Sequence, residues 1–228
     1  MKVLALGAHP DDIEIYMFGT LCAYAARGDE LAFAIATDGS KGGKGDPGAL
    51  SRLRKQEASD AAALIGVTPQ FLDFPDGELV PDRDLVMALK ALFARERPEL
   101  VITHAPNDYH GDHRALSEAA RLASSFSVPV LHADNLRGVA FEPTYYIDVS
   151  AHFETKLAAI RCHDSQSPER FVEACRQLNG FRGQQANQAN ATVYAEAFRF
   201  EPAFPFVDIR DLLPPAPPVR AVVNRAET

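Results

Sequence analysis

Three cysteines in 228 residues are too few, and odd in number, for a disulfide framework. Cys22, Cys162 and Cys175 are widely separated and fall in predicted helices, which suits small buried hydrophobes in a reducing compartment. No CxxC pair occurs, so a thiolate zinc site has no support. Basic charge is also short: 23 Lys and Arg stand against 31 Asp and Glu, a formal net charge of −8. A chain of that balance has no general attraction for phosphate backbones or anionic membrane surfaces, so nucleic acid is not an expected partner. Long apolar runs are lacking as well. Stretches such as Leu100 to Thr103 are far too short to span a bilayer, and the N-terminus has no basic region followed by an apolar segment and cleavage site. The expectation is a cytoplasmic protein without a membrane partner. Two phosphate signatures are missing too. The Gly-rich stretch Gly39 to Gly45 lacks the closing Lys-Ser/Thr of a P-loop, and Gly7-Ala8-His9 replaces the dinucleotide fingerprint. A mobile lid over a crevice is the expectation for that loop.

What is present is 46% hydrophobic residues in an ordered alternation of strand and helix patterns, enough for one substantial core. Lys2 to Leu6 reads as a strand closed by Gly7, and Ile13, Met17, Leu21 and Tyr24 recur at helical spacing up to Gly28. Leu31 to Thr37 reads as a strand, and Leu53, Ala58, Ala61 and Leu64 as a helix ending at Gly66. Strands at Gln70 to Phe74 and Glu99 to Thr103 alternate with helices at Asp84 to Arg95 and Leu116 to Ser125. Such alternation predicts an α/β fold: a single-domain, doubly wound (Rossmann-like), mostly parallel sheet with helices on both faces. Beyond Pro129 the pattern loosens, with short strands expected at Gly138 to Phe141 and Thr144 to Val149, helices from Ala151 and Pro168, and a last strand at Val193 to Phe200. Residues 1–200 form the expected domain, and 201–228, rich in proline, an extended C-terminal arm.

Two polar clusters stand at the ends of predicted strands, where open α/β sheets bind ligands. His9, Asp11 and Asp12 follow the first strand; His104, Asp108, His110, Asp112 and His113 follow the fourth. Catalytic zinc usually takes three protein ligands from imidazole and carboxylate, leaving one position for water, and His9, Asp12 and His113 meet that count. In His9-Pro10-Asp11-Asp12 the proline helps turn the chain, so one aspartate can ligate while the other reaches the water. In His110-Gly111-Asp112-His113 the two histidines lie on one helix face, so one can ligate while the other faces a substrate. The bland alternatives are an N-cap for either aspartate and exposed helix positions for the histidines. The joint occurrence of both clusters at one sheet edge favours a site.

These motifs resemble those of the LmbE-like, or PIG-L, de-N-acetylase superfamily. Thr37-Asp38-Gly39, Arg54 with Glu57, Phe74-Pro75-Asp76-Gly77, Lys156 with His163-Asp164-Ser165-Gln166, and Tyr194 to Phe198 look like further landmarks of that family in its order, covering most of residues 1 to 200. The resemblance implies a zinc-dependent hydrolase, with another divalent metal as the alternative, that removes acetyl from an N-acetylglucosamine unit carried on another group. Carried over by motif position, His9, Asp12 and His113 are the metal ligands, Asp11 the general base and His110, as a cation, the oxyanion stabiliser. Arg54 and Asp76 match positions that hold the sugar or its aglycone, with Arg52 the nearest competitor. The chain departs from the usual HPDH by Gly111 in place of proline, and residue 108 is Asp where some members place a tyrosine that assists the oxyanion, leaving Tyr109 or no residue in that role. The family also makes a homo-oligomer the expectation.

The same superfamily includes a hydratase of an unsaturated dicarboxylate, for which Lys41, Lys44, Arg52 and Arg54 are the candidate carboxylate clamp. Two further readings of two histidines and a carboxylate are a non-haem iron oxygenase and a purely structural metal, which usually has four protein ligands.

Overall fold

The computed structural model describes residues 1–186 and 193–216. Val3 and Ala5 point to one side of the first strand and Leu4 and Leu6 to the other, and all four are buried. A strand buried on both faces needs helices on both faces, and that is the architecture. β1 (Lys2–Gly7), β2 (Glu30–Thr37), β3 (Gln70–Phe74), β4 (Leu100–Thr103), β5 (Val130–Ala133), β6 (Tyr145–Asp148) and β7 (Ala195–Phe200) form one sheet in the order 3-2-1-4-5-7-6. The first five strands are parallel, with Val3 opposite Leu31 and Leu100, and β7 runs antiparallel to both β5 and β6.

One face is covered by α1 (Asp12–Tyr16), α2 (Phe18–Arg27), α3 (Pro47–Ala63), α6 (Phe153–Arg161) and α7 (Glu169–Gln185), packed on Val3, Ala5, Phe33, Ile35 and Ile102. The other is covered by α4 (Arg83–Glu96) and α5 (Gly111–Ser124), packed on Leu4, Leu6, Ala34 and Val101. Local chemistry sets several boundaries: Asp46 accepts from the Ala49 N–H at 2.7 Å with Pro47 in the first turn of α3, and Gly28 closes α2 in the left-handed region.

The expected single helix from Ile13 to Tyr24 is two, divided at Met17, whose backbone leaves the helical region. The segment Gly138 to Phe141 is a turn instead of a strand, with Gly138 and Ala140 both at positive φ. The strand in its place is β5, four residues directly after Pro129. The first helical residue of α5 is Gly111, five residues before Leu116. Cys22 and Cys175 are buried in helices, whereas Cys162 sits one residue past α6 and is partly exposed. Of the expected arm 201–228, residues 217–228, including Pro217 and Pro218, lie outside the described residues. In the described part, Ile209 and Leu213 are buried in the main core, and Arg27 donates to the Leu212 and Leu213 carbonyls.

Candidate active site

The strand order reverses direction between β1 and β4, because β2 and β3 lie on one side of β1 while β5 lies beyond β4. The loops leaving the carboxyl ends of these two strands diverge and open a crevice. His9, Asp11 and Asp12 stand on one side of it and residues 104–113 on the other, so chain topology brings together clusters about a hundred residues apart.

The centre of the crevice is the Asp12 carboxylate. His9 Nδ1 lies 3.2 Å from Asp12 Oδ2, His104 Nε2 3.2 Å from the same oxygen, and His113 Nε2 3.3 Å from Asp12 Oδ1. His104 Nε2 also accepts the Ala8 N–H at 3.0 Å. The outer nitrogens of the other two rings are backed by carboxylates. His9 Nε2 contacts Asp112 Oδ2 at 3.0 Å and Asp76 Oδ1 at 3.2 Å, and His113 Nδ1 lies 3.3 Å from Asp108 Oδ2. Asp112 is in turn held by the backbone N–H groups of Gly77 at 2.7 Å and Leu79 at 3.2 Å. An imidazole with one nitrogen turned to a shared centre and the other held by a carboxylate is the usual support of a metal ligand. Donor atoms of His9, His110 and His113, of Asp12, His104 and His113, and of His9, Asp76 and Asp112 each lie within 4.8 Å of one another. The residues present therefore fit a divalent cation.

Without a cation, these groups perturb one another strongly. Burial works to lower the His9 pKa, but Asp12, Asp112 and Asp76 outweigh it and raise it to about 12. His113 rises to about 9, with Asp12 and Asp108 outweighing burial. His104 falls to about 4 through burial and the neighbouring His113. Asp12 is pulled well below the usual carboxylate range because its three histidines overcome the cost of burial.

Asp11 occupies the N-cap position of α1 but makes no side-chain capping hydrogen bond. Its φ of 132° is unusual for a residue other than glycine, a conformation costing about 1–3 kcal/mol. This turn separates the two neighbouring aspartates: Asp12 faces the histidines and Asp11 faces Arg54, whose Nη2 lies 3.2 Å away. Burial raises the Asp11 pKa to about 6, with Arg54 opposing the rise. Arg54 itself is 3% exposed and donates to the Gly39 carbonyl at 2.9 Å and the Pro10 carbonyl at 2.8 Å. Gly42 packs so closely that a Cβ there would collide with the Arg54 guanidinium. Arg54 thus pairs with Asp11 and two backbone carbonyls, and it also lines the cleft.

All seven expected site residues, His9, Asp11, Asp12, Arg54, Asp76, His110 and His113, line one cleft of about 360 Å³, whereas Arg52 does not reach it. Asp76 also accepts the Lys41 N–H at 2.8 Å. Burial, His9 and His113 push the pKa of His110 down. Its Nδ1 accepts the Asp112 N–H at 3.2 Å, which leaves Nε2 as the N–H donor of a neutral ring. Asp108 and Asp112 were visible in the sequence cluster without a role, and they support His113 and His9. Gln166, Arg170 and Phe171 also line the cleft; they arrive from the far end of the chain, and no local pattern marks Arg170 or Phe171. Tyr109, 60% exposed, sits at the cleft mouth with its hydroxyl 3.3 Å from that of Tyr16.

Comparison with known proteins agrees with the geometry. The family model described as PIG-L, GlcNAc-PI de-N-acetylase, matches residues 4–124. A diacetylchitobiose deacetylase of Thermococcus kodakarensis is 30% identical, covering 88% of this chain and 83% of its own. A 4-oxalmesaconate hydratase of Pseudomonas putida is 25% identical, covering 87% and 88%. Among solved structures, N,N'-diacetylchitobiose deacetylase of Pyrococcus horikoshii superposes with a TM-score of 0.76 at 27% identity, over 88% of this chain and 83% of that one. With the matched segment carrying the switch-point crevice and both polar clusters, the chain belongs to the PIG-L family of de-N-acetylases.

Proposed function

We propose that this protein is a metal-dependent N-deacetylase that hydrolyses the acetamide of an N-acetylglucosamine-type conjugate, with His9, Asp12 and His113 holding zinc or another divalent ion. The observation that carries the reading is the division of labour at residues 11 and 12. One carboxylate is surrounded by imidazoles, while the other, separately held by Arg54, has a pKa raised to about 6. A general base works best with a pKa near the operating pH.

When bound, the metal polarises the amide carbonyl and brings the pKa of water to about 7. Asp11 accepts the proton of the attacking water and returns it to the departing amine. Arg54 keeps Asp11 ionised and aimed. The neutral His110 ring donates from Nε2 to the oxyanion of the tetrahedral intermediate, a contribution of about 3–4 kcal/mol if it matches other oxyanion donors. Asp76 offers its carboxylate to sugar hydroxyls, and the glycine-rich loop, which reaches the cleft through Lys41 and Gly42, serves as its lid.

The carboxylate clamp expected for a hydratase from Lys41, Lys44, Arg52 and Arg54 does not assemble, so a hydratase would have to draw on Arg170, which also lines the cleft. Arg54 is bound internally, Lys41 pairs with Glu78 at 2.7 Å, and Lys44 and Arg52 do not line the cleft. The test is acetate release from a panel of N-acetylglucosamine conjugates by zinc-loaded and chelated protein. Metal-dependent acetate release is expected. Loss of ultraviolet absorbance from a conjugated unsaturated dicarboxylate, with no acetate from any conjugate, would replace deacetylation by hydration.

A further inference from the structure

A second and larger cleft, of about 750 Å³, opens directly from the first, and Tyr109, Arg170 and Phe171 line both. Its volume falls in the range of small-molecule sites. Its far wall is the loop between β5 and β6, and that loop is built rather than slack. The buried Asn135 side chain accepts the N–H groups of Arg137 and Val139, both at 3.2 Å, and donates to the Val139 carbonyl at 2.9 Å. Asn107, on the loop that carries the second histidine cluster, donates to the Ala140 carbonyl at 2.5 Å. The catalytic loop and the wall of the second cleft are therefore tied together.

The lining has a definite chemical character. Phe171, Leu136 and Val139 present apolar surface, with Val139 68% exposed. Arg137 and Arg170 bring two guanidinium groups; Glu173 also lines the cleft, where it accepts from Gln177 at 2.7 Å, but no carboxylate comes within ion-pair distance of either arginine among the described residues. Arg170 lies over the Phe171 ring at 4.4 Å, with its Nε donating to the Gln166 carbonyl at 3.2 Å, so the group is pre-oriented. It also stands in the first turn of α7, where the helix dipole favours negative charge. In a chain of net charge −8, two arginines that form no ion pair outnumber the single Glu173 in this lining and leave positive charge for an anion. Guanidinium groups bind carboxylate and phosphate by forked hydrogen bonds.

We propose that this second cleft binds the part of the substrate beyond the N-acetylated unit, and that this part is a compact group bearing an oxyanion, carboxylate or phosphate, held by Arg137 and Arg170. The inference rests on the deacetylase reading for the placement of the acetamide in the first cleft. The neutral part of the aglycone lies on Phe171, Leu136 and Val139, and Tyr109 marks the junction between the two units.

The test compares three probes with the zinc-loaded enzyme: methyl N-acetylglucosaminide, which is neutral, N-acetylglucosaminyl malate and N-acetylglucosamine 1-phosphate. Acetate release is measured as kcat/KM, and binding of each probe by calorimetry. Wild-type enzyme is expected to favour at least one anionic probe over the neutral one by tenfold or more. Arg137→Ala and Arg170→Ala should each bring that ratio down about tenfold through KM, and Arg137→Lys should restore part of it. The malate and phosphate arms identify which oxyanion fits. A ratio near one in the wild type, or a ratio unchanged in both alanine variants, would overturn the proposal. If none of the three releases acetate, the wider conjugate panel above decides the deacetylase reading separately. The calorimetric preference for an anionic probe, and its loss in Arg137→Ala, still decides whether the cleft binds an oxyanion.

Discussion

Replacing Asp11 by asparagine keeps its shape and removes its basicity. Turnover is expected to fall by about 10²–10⁴-fold with metal content unchanged, whereas Asp12→Ala should lose the metal. Metal analysis beside the acetate assay separates the two, and the reverse pattern would exchange their roles. With the Asp11 pKa raised to about 6, kcat/KM should rise with pH through that region as the carboxylate ionises. Arg54 lowers that value, so Arg54→Met should move the acidic limb to higher pH, with Arg54→Lys intermediate. An unmoved limb would show that another group titrates. At this scale the sequence was informative where the chemistry is local. His9-Pro10-Asp11-Asp12 puts the proposed ligands and base in one turn, and HxxH puts His110 at the N-cap of α5 and His113 in its first turn. The placement of Arg54 beside Asp11 was not legible, because its partners Pro10 and Gly39 are joined to it only by packing. The lowering of the His110 pKa depends likewise on burial and on the neighbouring His9 and His113.

The elements show a second kind of determinant. Glu196 on β7 reaches the N-terminus of α2, accepting the Gly19 N–H at 3.1 Å and the Thr20 N–H at 2.8 Å, while the fully buried Lys156 of α6 donates to it at 2.5 Å. Three elements distant in sequence are joined by one carboxylate. Glu196→Ala leaves a buried ammonium and two N–H groups without their acceptor, and should cost about 3–5 kcal/mol. Urea denaturation measures this, and a loss below about 1 kcal/mol would mean that water replaces the pair. Strands with long apolar runs, such as β2, were legible from sequence. β5 was not: it has four residues and includes His132, and its status comes from pairing with β4 and β7. The apolar run Gly138 to Phe141 has the composition of a strand, but the hydrogen bonds of Asn135 fold that loop into a turn.

For the molecule as a whole, the site couples metal, protons and stability. In chelated protein, the folded His113 pKa is raised from 6.5 to about 9. Its contribution to stability is therefore fully present below pH 6.5 and lost as pH rises through about 9. Calorimetry in the presence of a chelator should show Tm falling across that window, and a flat profile would contradict the assignment of the shift. Zinc at a hundredfold excess over its Kd should stabilise by about 2.7 kcal/mol and raise Tm by roughly 5–10 °C. No helix among the described residues is long and apolar enough to cross a membrane. The proposed homo-oligomer is checked by light scattering, and a monomeric mass would remove it. The sequence by itself determined the alternation of strand and helix, the two polar clusters and their placement at strand ends, because each depends on periodicity or on spacing within a few residues. Only the tertiary structure decided that Asp12 lies at the centre of three histidines, that Asp108 and Asp112 lie against two of them, that Arg54 lies beside Asp11, and that a second cleft opens beyond Tyr109. Those relations join residues from different elements, and their distances are set by how the sheet and its helices pack.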